Sequence, residues 1–186
     1  MAMAAASSRA QPSDSYRPLA IALHWITAAL VLFMIAAGLA MLRLPEGETQ
    51  NLLFNLHRST GVVLFPLVLF RLIYRWRNPP PPLPDDLAPI QKLAAHGTHY
   101  ALYGLLLLNP LLGWWATSAY GAAVEVYWLF ELPPLVAQNK PLSETLLMFH
   151  SLVGIAIALL VAMHIGAALF HHFVRRDRIL LRMLGR

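Results

Sequence analysis

Eight histidines and no cysteine stand in this chain, and two of the histidines share one apolar run. His150 and His164 are fourteen residues apart in the stretch 146–174, which holds no acid or base other than histidine. On an α-helix that spacing is about 21 Å along the axis and roughly 40° short of whole turns. Both imidazoles then look to nearly the same side, one near each face of a bilayer. An imidazole in hydrocarbon is costly without a partner. Two metal centres stacked across a membrane would supply those partners. With no thiolate available, disulfides, Fe–S clusters, thiolate zinc sites and thioether-linked haem are excluded, and any metal must be held by nitrogen or oxygen.

The elements that must position these rings are apolar helices. The 186 residues are 58% hydrophobic and 12% charged, too apolar for a water-soluble domain and suited to an integral membrane protein. Four runs are long enough to span: 19–42, 52–74 with Pro66 inside, 93–117 with Pro110 inside, and 146–174. The expected architecture is an all-α membrane protein, a four-transmembrane-helix bundle. Residues 1–18 read as a disordered segment, 19–176 as the membrane domain and 177–186 as a basic tail. The first run is longer than a signal-peptide core and contains His24 and Trp25, which argues against a cleaved leader. The run "NPPPPLPDD" reads as a stiff loop, and a short interfacial helix is expected around 124–132.

Lys and Arg set the orientation. Arg9, Arg17, Arg71, Arg75, Arg77, Lys92, Arg175, Arg176, Arg178, Arg182 and Arg186 fall on one side, against Arg43, Arg58 and Lys140 on the other. Both termini are therefore expected in the cytoplasm. Trp114, Trp115, Tyr127 and Trp128 fit an aromatic belt at the outer interface. No nucleic-acid motif is present, and the formal charge of +5 reads as a topological signal.

With that orientation the histidines sort by depth. The outer level has His57 and His150. The inner level has His24, His164, His96 and His99, with His171 and His172 at the surface. A b-type haem takes two axial nitrogens from opposite sides of its ring. His57 with His150 is the outer pair. His24 with His164 is the preferred inner pair, with His96 or His99 able to compete. Gly61 and Gly154 follow the outer histidines at i+4, and Ala28 and Ala168 follow the inner ones. A small residue on the ligand's face leaves room for a flat macrocycle, although small residues also serve close helix packing.

Four pieces of the chain resemble the bacterial cytochrome b561 family: "ALHWITA" at 22–28, "NLHRSTG" at 55–61, "AHGTHYALYGLLLLNPLLGW" at 95–114, and "FHSLVGIAIALLVAMHIGAALFHHFVRRDRILLRML" at 149–184. The fourteen-residue histidine spacing and the "HIGAALFHH" tail are the most specific parts. That family is related to the b subunits of nickel–iron hydrogenase and formate dehydrogenase. The resemblance covers about 16–186. It implies a four-helix bundle in the bacterial inner membrane with two non-covalent b haems, His24 and His164 holding the inner one, His57 and His150 the outer. It also implies single-electron transfer between a periplasmic donor and ubiquinone. One branch of similar size oxidises superoxide, so superoxide:ubiquinone oxidoreductase activity is one expectation.

Six-coordinate haems favour electron transfer over oxygen activation. Arg58 is expected to serve a propionate of the outer haem, and Arg175 or Arg176 one of the inner haem. His171, His172, His99 and Tyr103 are candidates for moving protons at a quinone site. Two features depart from the superoxide-oxidising pattern. The loop before the third run carries Asp85 and Asp86 rather than lysines. The outer loops hold Glu46, Glu48, Glu125, Glu131 and Glu144 against only three cations, a poor match to an anionic substrate. Two other readings compete: a membrane anchor that accepts electrons from a separate periplasmic enzyme, and a haem-free histidine-lined transporter. The runs contain no Asp or Glu, which counts against proton-coupled transport.

Overall fold

A computed structural model describes residues 15–186. Four long helices dominate it: α1 Pro18–Met41, α2 Glu48–Arg77, α3 Pro89–Tyr120 and α4 Lys140–Phe170. Proline starts α1 and α3, where its missing N–H costs nothing and its fixed φ suits the first turn. Asn139 caps α4, its side-chain oxygen accepting from the Leu142 N–H at 3.1 Å. Glu48 opens α2 and Arg75 and Arg77 close it, each matched to the helix dipole. A π-helical turn, His171–Arg175, follows α4; Arg176 then adopts a left-handed φ of 57° and a short α5, Ile179–Met183, ends the chain.

Neighbours in sequence are neighbours in space, α1 on α2, α2 on α3 and α3 on α4. Contacts between the end of one helix and the start of the next make each neighbouring pair antiparallel, as at Gly38 with His57 and at Arg71 with His24. All four helices feed one apolar layer: Val31, Leu64, Val68, Tyr103, Leu106 and Ile157. Ile157 lies midway between His150 and His164, so this layer separates the two histidine levels. Elsewhere large apolar side chains face outward, among them Leu32, Phe70, Leu152 and Leu159, as on helices solvated by lipid.

Three helices are long and apolar enough to cross a membrane: Pro18–Met41, Glu48–Arg77 and Lys140–Arg175. The third expected span falls in α3, where His96, Thr98, His99 and Asn109 dilute the apolar sequence. α3 nonetheless has 32 residues, as long as its neighbours.

The segment expected to be a short helix is instead a β-hairpin, β1 Val124–Val126 paired antiparallel with β2 Phe130–Leu132. The sequence "VEVYWLFEL" alternates with period two at β1, burying Val124 and Val126 on one face, which a helix would have splayed apart. The basic tail carries α5. Trp25 Nε1 donates to the Met183 carbonyl at 2.9 Å, so α1 begins at the same end of the molecule as the chain finishes. Arg182 donates to the Pro82 carbonyl, tying the tail to the proline loop. Of the expected N-terminal segment, 1–14 lie outside the described residues; Pro18 already belongs to α1.

Candidate functional site

The outer histidines meet between α2 and α4. The ring centroids of His57 and His150 are 6.1 Å apart, with planes at 74°. His150 Nδ1 lies 3.1 Å from the Asn109 carbonyl of α3, which fixes the ring proton on Nδ1 and leaves Nε2 with a free lone pair. Both ring nitrogens of His57 are buried without a hydrogen-bond partner; the Met34 carbonyl is near, outside bonding geometry. Buried polar atoms of this kind are rare and call for an explanation.

Two glycines on neighbouring helices shape this level. A Cβ at Gly38 of α1 would sit 3.4 Å from His57 Cε1. One at Gly113 of α3 would sit 3.2 Å from His150 Cε1 and 3.3 Å from its Nδ1. The two glycines expected to flank the ligands look elsewhere: Gly61 faces Met34, and Gly154 faces the Asn109 side chain at 3.8 Å.

The hairpin is bonded to the turn of α2 that carries His57. Ser59, fully buried, accepts from the Tyr127 N–H at 2.8 Å and donates to the Glu125 carbonyl at 3.0 Å. Asn55 donates to the Glu125 carboxylate, Thr60 meets the Tyr127 hydroxyl, and Arg58 donates to the Ala123 carbonyl. Arg58 Nε is buried with no partner of its own. These contacts hold Tyr127 and Trp128 at φ 49° and 60°, a left-handed turn that bulky residues rarely adopt.

The inner level draws on all four helices. His24 of α1 and His164 of α4 have ring centroids 6.2 Å apart. His99 of α3 also reaches His164, at 5.1 Å, and its Nδ1 lies 2.7 Å from the Ala95 carbonyl. Arg71 of α2 brings Nη2 to 2.7 Å from His24 Nδ1, and its guanidinium carbon sits 5.4 Å from the centre of the buried Tyr103 ring. His96 is exposed and outside this cluster. His172 stacks edge-on against Phe173.

His171 and Arg175 are committed to the tail. His171 Nδ1 bonds to the Asp177 carboxylate, and Arg175 pairs with Asp177 and, at 2.7 Å, with Asp86. Burial pushes the Asp177 carboxyl up, but hydrogen bonds from His171, the Ile179 N–H and Arg175 outweigh it and hold the group below its ordinary value. Arg175 is thereby satisfied by the protein's own acids.

Sequence reasoning missed Gly38, Asn109, Gly113 and Arg71. The glycines and Asn109 lie on helices that carry no outer ligand, so no spacing along the chain points to them. Arg71 did carry a signal, a guanidinium inside the apolar run 52–74, but was read as a topological charge.

Comparison with known proteins places the chain in a family. The family model of prokaryotic cytochrome b561 matches residues 15–186. "Cytochrome b561 homolog 2" of Escherichia coli K12 is 33% identical over 175 residues, 93% of each chain. "Cytochrome b561 homolog 1" of the same organism is 34% identical over 89% of this chain and 94% of its own. "Probable superoxide oxidase CybB" of Yersinia pestis is 29% identical over 91% of this chain and 95% of its own. Apolar helices that gather histidines at two levels, with a family match over nearly the whole length, lead to one conclusion: the chain belongs to the prokaryotic cytochrome b561 family, membrane electron-transfer proteins with b-type haem.

Proposed function

We propose that the chain is a four-span cytochrome with both termini in the cytoplasm. It holds two b haems, the outer between His57 and His150 and the inner between His24 and His164. It passes single electrons across the inner membrane between a periplasmic donor and ubiquinone. The ring spacing carries this reading. Two imidazoles that held one metal from opposite sides, each at a metal–nitrogen bond of about 2.0 Å, would have ring centres roughly 6 Å apart. The two pairs measure 6.1 and 6.2 Å. The partnerless nitrogens of His57 and the free Nε2 of His150 fit axial ligation at the outer level. α3 counts as the fourth span because it packs along α4 and supplies carbonyl, glycine and imidazole at both levels.

Bound haem supplies reversible one-electron chemistry between the two faces. The chain's residues do the rest. His57 and His150 would hold the outer haem and His24 and His164 the inner, which would leave no place for oxygen. The central apolar layer excludes water between the levels. Arg58, partly buried beside His57, offers Nε to an outer propionate. His99, Tyr103 and His171 are the proton-carrying groups at the inner end, where ubiquinone would exchange. Superoxide as donor rests on the name of one relative and on Arg43 and Arg58 at the outer mouth.

The visible spectrum of the detergent-purified protein, oxidised and reduced, with pyridine haemochrome quantitation, tests the reading. Two low-spin b haems per chain are expected. One haem means a misassigned pair, and a colourless protein from haem-supplemented cells returns the histidines to transport or structure. Superoxide-driven haem reduction by the isolated chain then separates an oxidoreductase from an anchor subunit.

A further inference from the structure

We propose that the polar pocket at the inner end of the molecule is a carboxylate-binding site anchored by Arg71, and that it takes a propionate of the inner haem. The inference rests on the di-haem reading above and adds a residue to it.

Arg71 keeps its charge at any physiological pH. A guanidinium within a membrane helix requires an anionic partner or an equivalent set of acceptors. Among the described residues no carboxylate reaches it. The ion pairs there join His171 and Arg175 to Asp177 and Asp86. Arg71 has instead a neutral imidazole and the phenol of Tyr103, which meets the guanidinium through its ring face and its hydroxyl. It opens on a pocket lined also by Tyr16, Tyr74, Arg75, Asn78 and Tyr103. Two cations, an amide and three phenols without an acid make a surface complementary to an anion with several acceptor atoms.

The bond to His24 points the same way. Arg71 donates, so His24 Nδ1 accepts and the ring proton sits on Nε2. A neutral imidazole that ligates through Nε2 carries its proton on Nδ1 instead. Ligation by His24 and its bond to Arg71 therefore exclude one another. When His24 ligates, Arg71 needs another acceptor, and the haem that recruits His24 brings a carboxylate with it. A quinone is uncharged and gives the guanidinium no counter-charge. Arg175, the cation expected for this role, is already paired.

A fixed positive charge beside a haem stabilises its reduced form and raises its potential. The test is a redox titration of both haems in the full-length protein, with haem content, for the wild type, Arg71→Gln, Arg71→Lys, Arg77→Gln and Asp14→Asn. In Arg71→Gln one haem is expected to fall in potential or be lost while the other is unchanged, and Arg71→Lys should retain that haem. Arg77→Gln removes an exposed cation at the same end and is expected to shift neither. Two haems at unchanged potentials in Arg71→Gln would overturn the assignment. So would loss of the haem in Arg71→Lys as well, or an equal shift in Arg77→Gln. A shift of the same haem in Asp14→Asn would make the carboxylate the chain's own and overturn it too. Fewer than two haems in the wild type would overturn the di-haem reading itself, and this inference with it.

Discussion

The outer and inner histidine pairs have almost the same ring spacing and opposite surroundings. At the outer level the neighbours are backbone: the Asn109 carbonyl on one ring, and Gly38 and Gly113 pressed against both. A hairpin is bonded to the turn of α2 that carries His57. At the inner level the neighbours are side chains: a third imidazole, a guanidinium and a phenol. A site walled by backbone is fixed by how the helices pack. A site walled by long polar side chains can exchange partners.

Removing a ligand should break this comparison most strongly. His57→Ala or His150→Ala is expected to leave one haem per chain by pyridine haemochrome; two retained haems would end the outer assignment. His99→Ala is expected to leave two. If it removes one haem, His99 rather than His24 is the inner partner of His164, and the inner level has chosen between its two candidates.

Crowding the backbone wall should act on the outer level alone. Alanine favours a helix interior over glycine by about 0.5–1 kcal/mol, yet at Gly113 its methyl would press on His150. Gly113→Ala is thus expected to lower outer haem retention without lowering helix content, read by haem titration and far-UV circular dichroism. Gly38→Ala, with a looser approach, should have the smaller effect. Equal loss of both haems would show that the glycines serve general packing.

Loosening the hairpin is milder. Ser59→Ala leaves the part-buried Tyr127 N–H without its acceptor, at a cost of about 0.5–1.5 kcal/mol. Faster hydrogen exchange across 124–132 is expected, with α5 unchanged. Protection as in the wild type would mean that Asn55, Arg58 and Thr60 suffice.

The smallest effect concerns the tail. The Asp177 carboxyl is held below its ordinary value, so its contribution is complete above the usual Asp pKa of about 3.9 and is lost as pH falls below that value. Acidification from pH 7 through that range should free 177–186 to protease before the helices respond, and Asp177→Asn should free it already at pH 7. A tail equally protected in both would assign its docking to Trp25 and Arg182 alone.

The long helices were legible because each is an apolar run broken by proline, glycine or charge. The hairpin was not, since nine residues rich in aromatics suit an interfacial helix as well as a strand until Ser59 and Asn55 fix the register. α3 was legible as a helix but less so as a span, because the polar residues that serve both histidine levels dilute its hydropathy.

The sequence by itself determined the family and the membrane setting, because motif, hydropathy and helical period are local properties that spacing records. Only the tertiary structure decided which groups press on the histidine rings. Gly38 with His57, Asn109 with His150 and Arg71 with His24 are meetings between helices, set by how antiparallel neighbours rotate and slide against one another, and no period along one chain segment encodes that.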